Sequence, residues 1–80
     1  MTSARLSVVI PALNEAAGIS AVLHALAPLA ARGAQLLVAD GGSVDGTVTL
    51  AQVGGAQIVH APRGRALQMN AGAQQATGDM

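Results

Sequence analysis

Leu36-Leu37-Val38-Ala39-Asp40-Gly41-Gly42-Ser43-Val44-Asp45-Gly46-Thr47 decides the reading of this chain. An apolar run of strand length gives way, within one position, to an aspartate, two glycines and small hydroxyls. A buried parallel strand reads this way where it opens into a loop that leads to a helix. Ligands of open α/β sheets sit beyond the carboxyl ends of the strands, so the polar turn that starts at Asp40 is a candidate site.

The segments on either side repeat the unit. Leu6 to Ile10 is a β-branched run closed by Pro11, and proline cannot continue a central ladder, so the first strand is expected to end there. Asn14 reads as the N-cap of a helix and Glu15 suits its positive end. Ile19, Val22, Leu23, Leu26 and Leu29 fall on one helical face, with Pro28 expected to end or kink the helix near Ala27 and Gly33 at its exit. The second strand, about Gln35 to Ala39, delivers Asp40. Ser43 then reads as the cap of a short helix from Gly46 to Val53, with Asp45 in its first turn. Ala56 to His60 reads as a third strand ended by Ala61-Pro62. A last helix follows from near Gly64 to Ala76, with Leu67, Ala71 and Gln74 inward and Met69 in the core.

Strand-helix three times over, with short connections and right-handed crossovers, makes an α/β fold: a three-stranded parallel sheet flanked by helices. Thr77-Gly78-Asp79-Met80 reads as the turn into a fourth strand. Residues 1–80 are therefore expected to be the N-terminal part of one larger domain, with an open sheet edge.

Composition narrows the function classes. The chain has 80 residues, of which 51% are hydrophobic and 10% charged, which is the make-up of a buried core and not of a disordered segment. Its formal charge is zero, so it carries no electrostatic footprint for nucleic acid. Without cysteine it has neither a disulfide framework nor a thiolate metal site. No apolar run approaches the roughly 18 residues of a membrane span, and Met1 to Arg5 lacks a signal-peptide layout, so a cytoplasmic location is expected.

Each of the three strand ends carries polar groups: Asn14 and Glu15, then Asp40 to Asp45, then His60 to Arg65. In a parallel sheet these ends share one rim. Neither the G-x-G-x-x-G fingerprint nor a P-loop occurs, which excludes both common nucleotide motifs. What remains is a rim with carboxylate acceptors on two loops, Glu15 and Asp40, and guanidinium donors on the third, Arg63 and Arg65. A ligand with hydroxyls at one end and phosphates at the other satisfies both halves, as a nucleotide does. The same residues also have plainer roles open to them. Asn14 and Ser43 can be caps, Glu15 and Asp45 first-turn carboxylates, and Asp40 an acceptor for the amides of its own loop.

Three ordered motifs sharpen the reading. They are Ser7-Val8-Val9-Ile10-Pro11-Ala12-Leu13-Asn14-Glu15, then Val38-Ala39-Asp40-Gly41-Gly42-Ser43-Val44-Asp45-Gly46-Thr47, then Arg65-Ala66-Leu67-Gln68-Met69-Asn70-Ala71-Gly72 followed by Ala76-Thr77-Gly78-Asp79. In this order and spacing the chain resembles the opening of a family 2 glycosyltransferase, the Rossmann-like half of a GT-A domain. The resemblance implies recognition of a nucleotide-diphosphate sugar and transfer of the sugar, usually with inversion, to an acceptor that the motifs leave open. It places Pro11, Asn14 and Glu15 in the nucleoside pocket, Asp40 with Gly42 and Ser43 beside the base, and Arg65 with Asn70 near the base or diphosphate. Many members carry two adjacent acidic residues where this chain has Asp40-Gly41, and some carry an aromatic where it has Leu13.

The family's metal-binding Asp-x-Asp does not occur in these residues, and its catalytic base lies much further on. The full-length member is expected to use Mg2+ or Mn2+ on the donor phosphates. This chain has no cofactor of its own, and it is expected to recognise a donor without transferring a sugar. Two alternatives stand beside that reading. One is a non-catalytic module that binds a nucleotide or self-associates through its open edge strand. The other is a nucleotide-binding α/β fragment of an unrelated enzyme.

Overall fold

The computed structural model describes residues 6–76. The elements are β1 (Ser7–Ala12), α1 (Ile19–Ala31), β2 (Gln35–Asp40), α2 (Thr47–Val53), β3 (Gln57–His60) and α3 (Arg65–Gln75). The strands form one parallel sheet in the order β1-β2-β3. Ala12 lies opposite Asp40, and Asp40 opposite His60, so the strand ends form a common rim. The expected α/β architecture of three βα units is met. The turn read at Thr77-Gly78-Asp79-Met80 lies outside the described residues.

Alternation along the strands sorts the core into two layers. Val8, Ile10 and Ala12 of β1, Leu36 and Val38 of β2 and Ile58 of β3 pack against Ile19, Leu23 and Leu26 of α1 and Leu50 and Ala51 of α2. The opposite face carries Val9, Leu37, Ala39 and Val59 and is covered by α3. Every residue of the central strand β2 is buried, as its near-continuous apolar run requires. α3 lies close to the sheet because Gly72 faces Val9: a Cβ on Gly72 would stand 2.3 Å from Val9 Cγ1. Ser7 donates to the Gln35 carboxamide, which donates in turn to Gln57, so the polar residues at the far end of this face are bonded to one another.

Several local expectations need correction. β1 does not end at Ile10 but runs through Pro11 to Ala12. Among the described residues β1 pairs only with β2. The ladder bonds made by the Leu6 and Ala12 carbonyls put every second residue toward β2, which turns the missing N–H of Pro11 to the open edge. α1 likewise continues through Pro28 to Ala31. Its ring removes one helical bond, to His24, at a stretch where both residues are exposed. Val22 is exposed, so the inner stripe of α1 is Ile19, Leu23 and Leu26. On α3 the inner pair is Gln68 and Gly72, while Leu67, Met69 and Gln74 are exposed and Ala71 is half-buried. Small and polar residues face the sheet because the helix lies too close for Leu67.

Candidate functional site

Two loops meet at the rim, after β1 and after β2, and side chains close them into one platform. Asn14 is neither a helix cap nor in the helical region: at φ 52° it is the one non-glycine residue in the left-handed region among those described. Asparagine tolerates that region better than most residues. The conformation aims Asn14 at the second loop. Its N–H donates to Ser43 Oγ at 2.9 Å, and its Oδ1 accepts the Val44 N–H at 2.9 Å. The next N–H, of Glu15, donates to Thr47 Oγ1 at 2.8 Å, and that of Ala16 to Asp45 Oδ2 at 3.2 Å. α1 then starts at Ile19, with Gly18 before it and no side-chain cap.

Asp40 sits beneath this platform at 2% exposure. Its Oδ2 accepts the amides of Gly42 at 3.1 Å and Ser43 at 3.0 Å, and its Oδ1 accepts the Ser43 hydroxyl. Burial opposes its charge, but the Ser43 hydroxyl, the two amides and nearby His60 outweigh that cost and hold the carboxyl below its usual range. Ser43 therefore receives Asn14 on one side and holds Asp40 on the other, and is no cap for α2. Gly42, at φ 100°, makes the turn that brings both amides onto one carboxylate oxygen. Asp45 repeats the pattern one step on. The Thr47 hydroxyl, with the amides of Thr47 and Ala16, keeps its carboxyl low against a smaller opposing effect of burial.

The cleft at this rim has a volume of about 150 Å³ and is lined by Pro11, Ala12, Leu13, Glu15, Arg65 and Gln68. Glu15 and Arg65 both line the opening, and among the described residues neither side chain is engaged by another residue. Ligand pockets commonly measure roughly 300 Å³ or more, so this cleft takes part of a nucleotide-sized molecule and not all of it.

Of the residues singled out from sequence, Pro11, Glu15 and Arg65 come together in the cleft. Asn14, Asp40, Gly42 and Ser43 do not line it; they build the two loops beside it. Asn70 is exposed on α3, five positions from Arg65 and so about 140° round the helix from it. Two residues that shape the site had no role assigned from sequence. Thr47 is fully buried and ties Glu15 to Asp45. Gln68, inside the third motif, bonds the carbonyls of Ala12 and Ala39 and lines the cleft. A buried-type position that is polar, four residues before a glycine on one helical face, was the available signal for Gln68.

Among the described residues no group of three or more His, Cys, Asp or Glu side chains is placed to hold a metal ion. The Asp40 and Asp45 carboxylates are committed to loop donors, so these residues do not fit a divalent cation. No helix among them is long and apolar enough to cross a membrane.

A parallel α/β sheet with an open rim, two interlocked loops and a carboxylate-guanidinium cleft is the Rossmann-like half of a GT-A domain, and the chain belongs to glycosyl transferase family 2, whose family model matches residues 7–80. Among solved structures it is similar to glucosyl-3-phosphoglycerate synthase from Mycobacterium tuberculosis in complex with Mn2+, uridine-diphosphate and glucosyl-3-phosphoglycerate, with 31% identity and a TM-score of 0.86. The same enzyme with Mn2+, uridine-diphosphate-glucose and glycerol 3-phosphate gives the same values. A further mycobacterial protein matches at 29% identity with a TM-score of 0.87. Each match covers 96% of this chain, but only 31% of the synthase and 29% of the other protein. The chain thus spans less than a third of the length of these relatives. No curated protein matches it.

Proposed function

We propose that this chain is the donor-binding portion of a glycosyltransferase that uses a nucleotide-diphosphate sugar, with uridine as the base. The observation that carries the reading is the cleft at the carboxyl ends of the strands, where Glu15 and Arg65 line one opening without engaging each other. Glu15 accepts hydrogen bonds from ribose hydroxyls, and Arg65 neutralises the diphosphate. Pro11, Ala12 and Leu13 give the nucleoside an apolar wall. Asn14, Asp40, Gly42 and Ser43 serve the site by fixing the loops, and Asn70 lies too far round α3 to share a ligand atom with Arg65. The uridine assignment follows the synthase, which is similar to this chain and holds uridine-diphosphate.

In the synthase Mn2+ accompanies uridine-diphosphate and uridine-diphosphate-glucose. The corresponding Mg2+ or Mn2+ of a whole enzyme would be held by residues other than those described here. Donor recognition is accordingly the part of the reaction assigned to residues 6–76, and the acceptor is left open. Calorimetric titration with uridine-diphosphate tests the reading. Measurable heat at millimolar nucleotide, with affinity weakened but still measurable in both Glu15→Ala and Arg65→Ala, is expected; absence of heat for every nucleoside diphosphate overturns it.

A second reading, self-association through β1, has one observation in its favour. Beside the open edge lies an apolar groove of about 490 Å³ lined by residues that include Leu6, Val8, Val9, Met69 and Ala73. Light scattering decides it, since a monomeric mass at high concentration counts against edge pairing.

A further inference from the structure

We infer that Gln68 is a positioning residue for the cleft and acts as one unit with Gly41, an inference that rests on the nucleotide reading above and names what sets its diphosphate-facing arginine. Gln68 is 4% exposed and reaches three separate segments. Its Nε2 donates to the carbonyls of Ala12, at the end of β1, and Ala39, near the end of β2, each at 2.9 Å. Its Oε1 accepts the Gly64 N–H at 3.2 Å, while its own N–H donates to the Gly64 carbonyl at 2.8 Å. One side chain thus fastens the first turn of α3 to the roots of both platform loops. That turn has no side-chain cap from the residue preceding it, so no capping side chain shares the task.

The carboxamide lies flat over Gly41. A Cβ on Gly41 would stand 2.8 Å from Gln68 Cδ, 2.9 Å from Oε1 and 3.0 Å from Nε2, nearly equal distances to all three atoms. A side chain at position 41 and glutamine at 68 therefore compete for one volume. This gives the Asp40-Gly41 pair a physical reason: the space beside Asp40 is already filled from α3. Arg65 lies three residues before Gln68, almost one turn, and both line the cleft. Whatever fixes Gln68 therefore fixes where the Arg65 backbone stands at the cleft, and so the point from which its side chain starts.

A double-mutant cycle separates this role from plain fold maintenance. Uridine-diphosphate affinity is measured for the parent chain, Gln68→Ala, Arg65→Ala and the double variant, with circular dichroism to confirm folding. Gln68→Ala is expected to weaken binding roughly tenfold in the parent and less than about twofold once Arg65 is alanine. Equal loss in both backgrounds overturns the inference. If Gln68→Ala does not fold, Gly41→Ala takes its place in the cycle, because it displaces the carboxamide while keeping its donors, and the same two outcomes apply. A readout without ligand keeps the two proposals apart. The Arg65 Nε–H resonance should move in Gln68→Ala or Gly41→Ala while the β3 amides keep their shifts. A parent chain that binds no uridine-diphosphate overturns the nucleotide reading, and an unmoved Arg65 resonance overturns the positioning role.

Discussion

Gly72→Ala is the sharpest perturbation of how α3 is seated. Alanine is favoured over glycine in a helix interior by about 1 kcal/mol, so propensity alone makes this a stabilising change. The structure reverses the sign. The added Cβ would stand 2.3 Å from Val9 Cγ1, 3.3 Å from Cγ2 and 3.4 Å from Cβ, against an ordinary contact of 3.4 Å or more. Val9 is β-branched and on the sheet, so its χ1 cannot simply turn away. α3 must lift by about 1 Å, and overpacking of this kind costs about 1–3 kcal/mol. The lift also stretches the two 2.9 Å bonds from Gln68 to the strand carbonyls, each contributing about 1 kcal/mol. The net expectation is a loss of about 2 kcal/mol, or a Tm lower by roughly 8–16 °C in a chain of this size. Urea denaturation of Gly72→Ala, Val9→Ala and the double variant checks it. With Val9 shortened, Gly72→Ala should stabilise by about 0.5–1 kcal/mol as helix propensity acts unopposed. Stabilisation of the parent by the same amount would refute the close approach.

The remaining predictions concern the platform. Asp40→Asn should cost about 2–3 kcal/mol at neutral pH, because a buried carboxylate that accepts three donors loses its charge and one oxygen. The folded state holds Asp40 below its ordinary value of 3.8, so its stabilisation is complete above the unfolded value and is lost as pH falls through the folded one. Denaturation of the parent should steepen below about pH 5, with a shallower acid limb in the variant, and parallel limbs would contradict this. Asn14→Gly should cost about 1 kcal/mol through loss of the Val44 bond, and Asn14→Ala about 1 kcal/mol more because alanine is strained at φ 52°. Equal midpoints for the two variants would show that the left-handed conformation carries no cost.

The order of elements was legible because it rests on local signals. The apolar runs at Val8 to Ile10, Leu36 to Ala39 and Ile58-Val59 fix three strands, and the glycines and polar turns between them fix where each ends. Errors arose where tertiary placement overrode a local rule. Proline argues against a central ladder, but Pro11 sits on the side of β1 turned away from β2, where among the described residues an N–H has no ladder partner to lose. Hydrophobicity alone predicts Leu67 inward, whereas the residues of α3 buried against the sheet are Gly72 and Gln68 with its flat carboxamide. The rim itself was legible from parallel topology, which gathers the three turns at one end. Which side chains face the cleft was not. The same carboxylate pattern lines a cleft at Glu15 and holds a loop at Asp40, and only the positions of the Gly42 and Ser43 amides distinguish the two.

Amide chemical-shift mapping of the isotopically labelled chain during titration with uridine-diphosphate tests the donor-site assignment most directly. Saturable shifts grouped on Leu13, Glu15, Arg65 and Gln68, with little change at Leu6, Val9 and Met69, are the predicted result. Shifts centred on the apolar groove, or none at millimolar nucleotide, would contradict it.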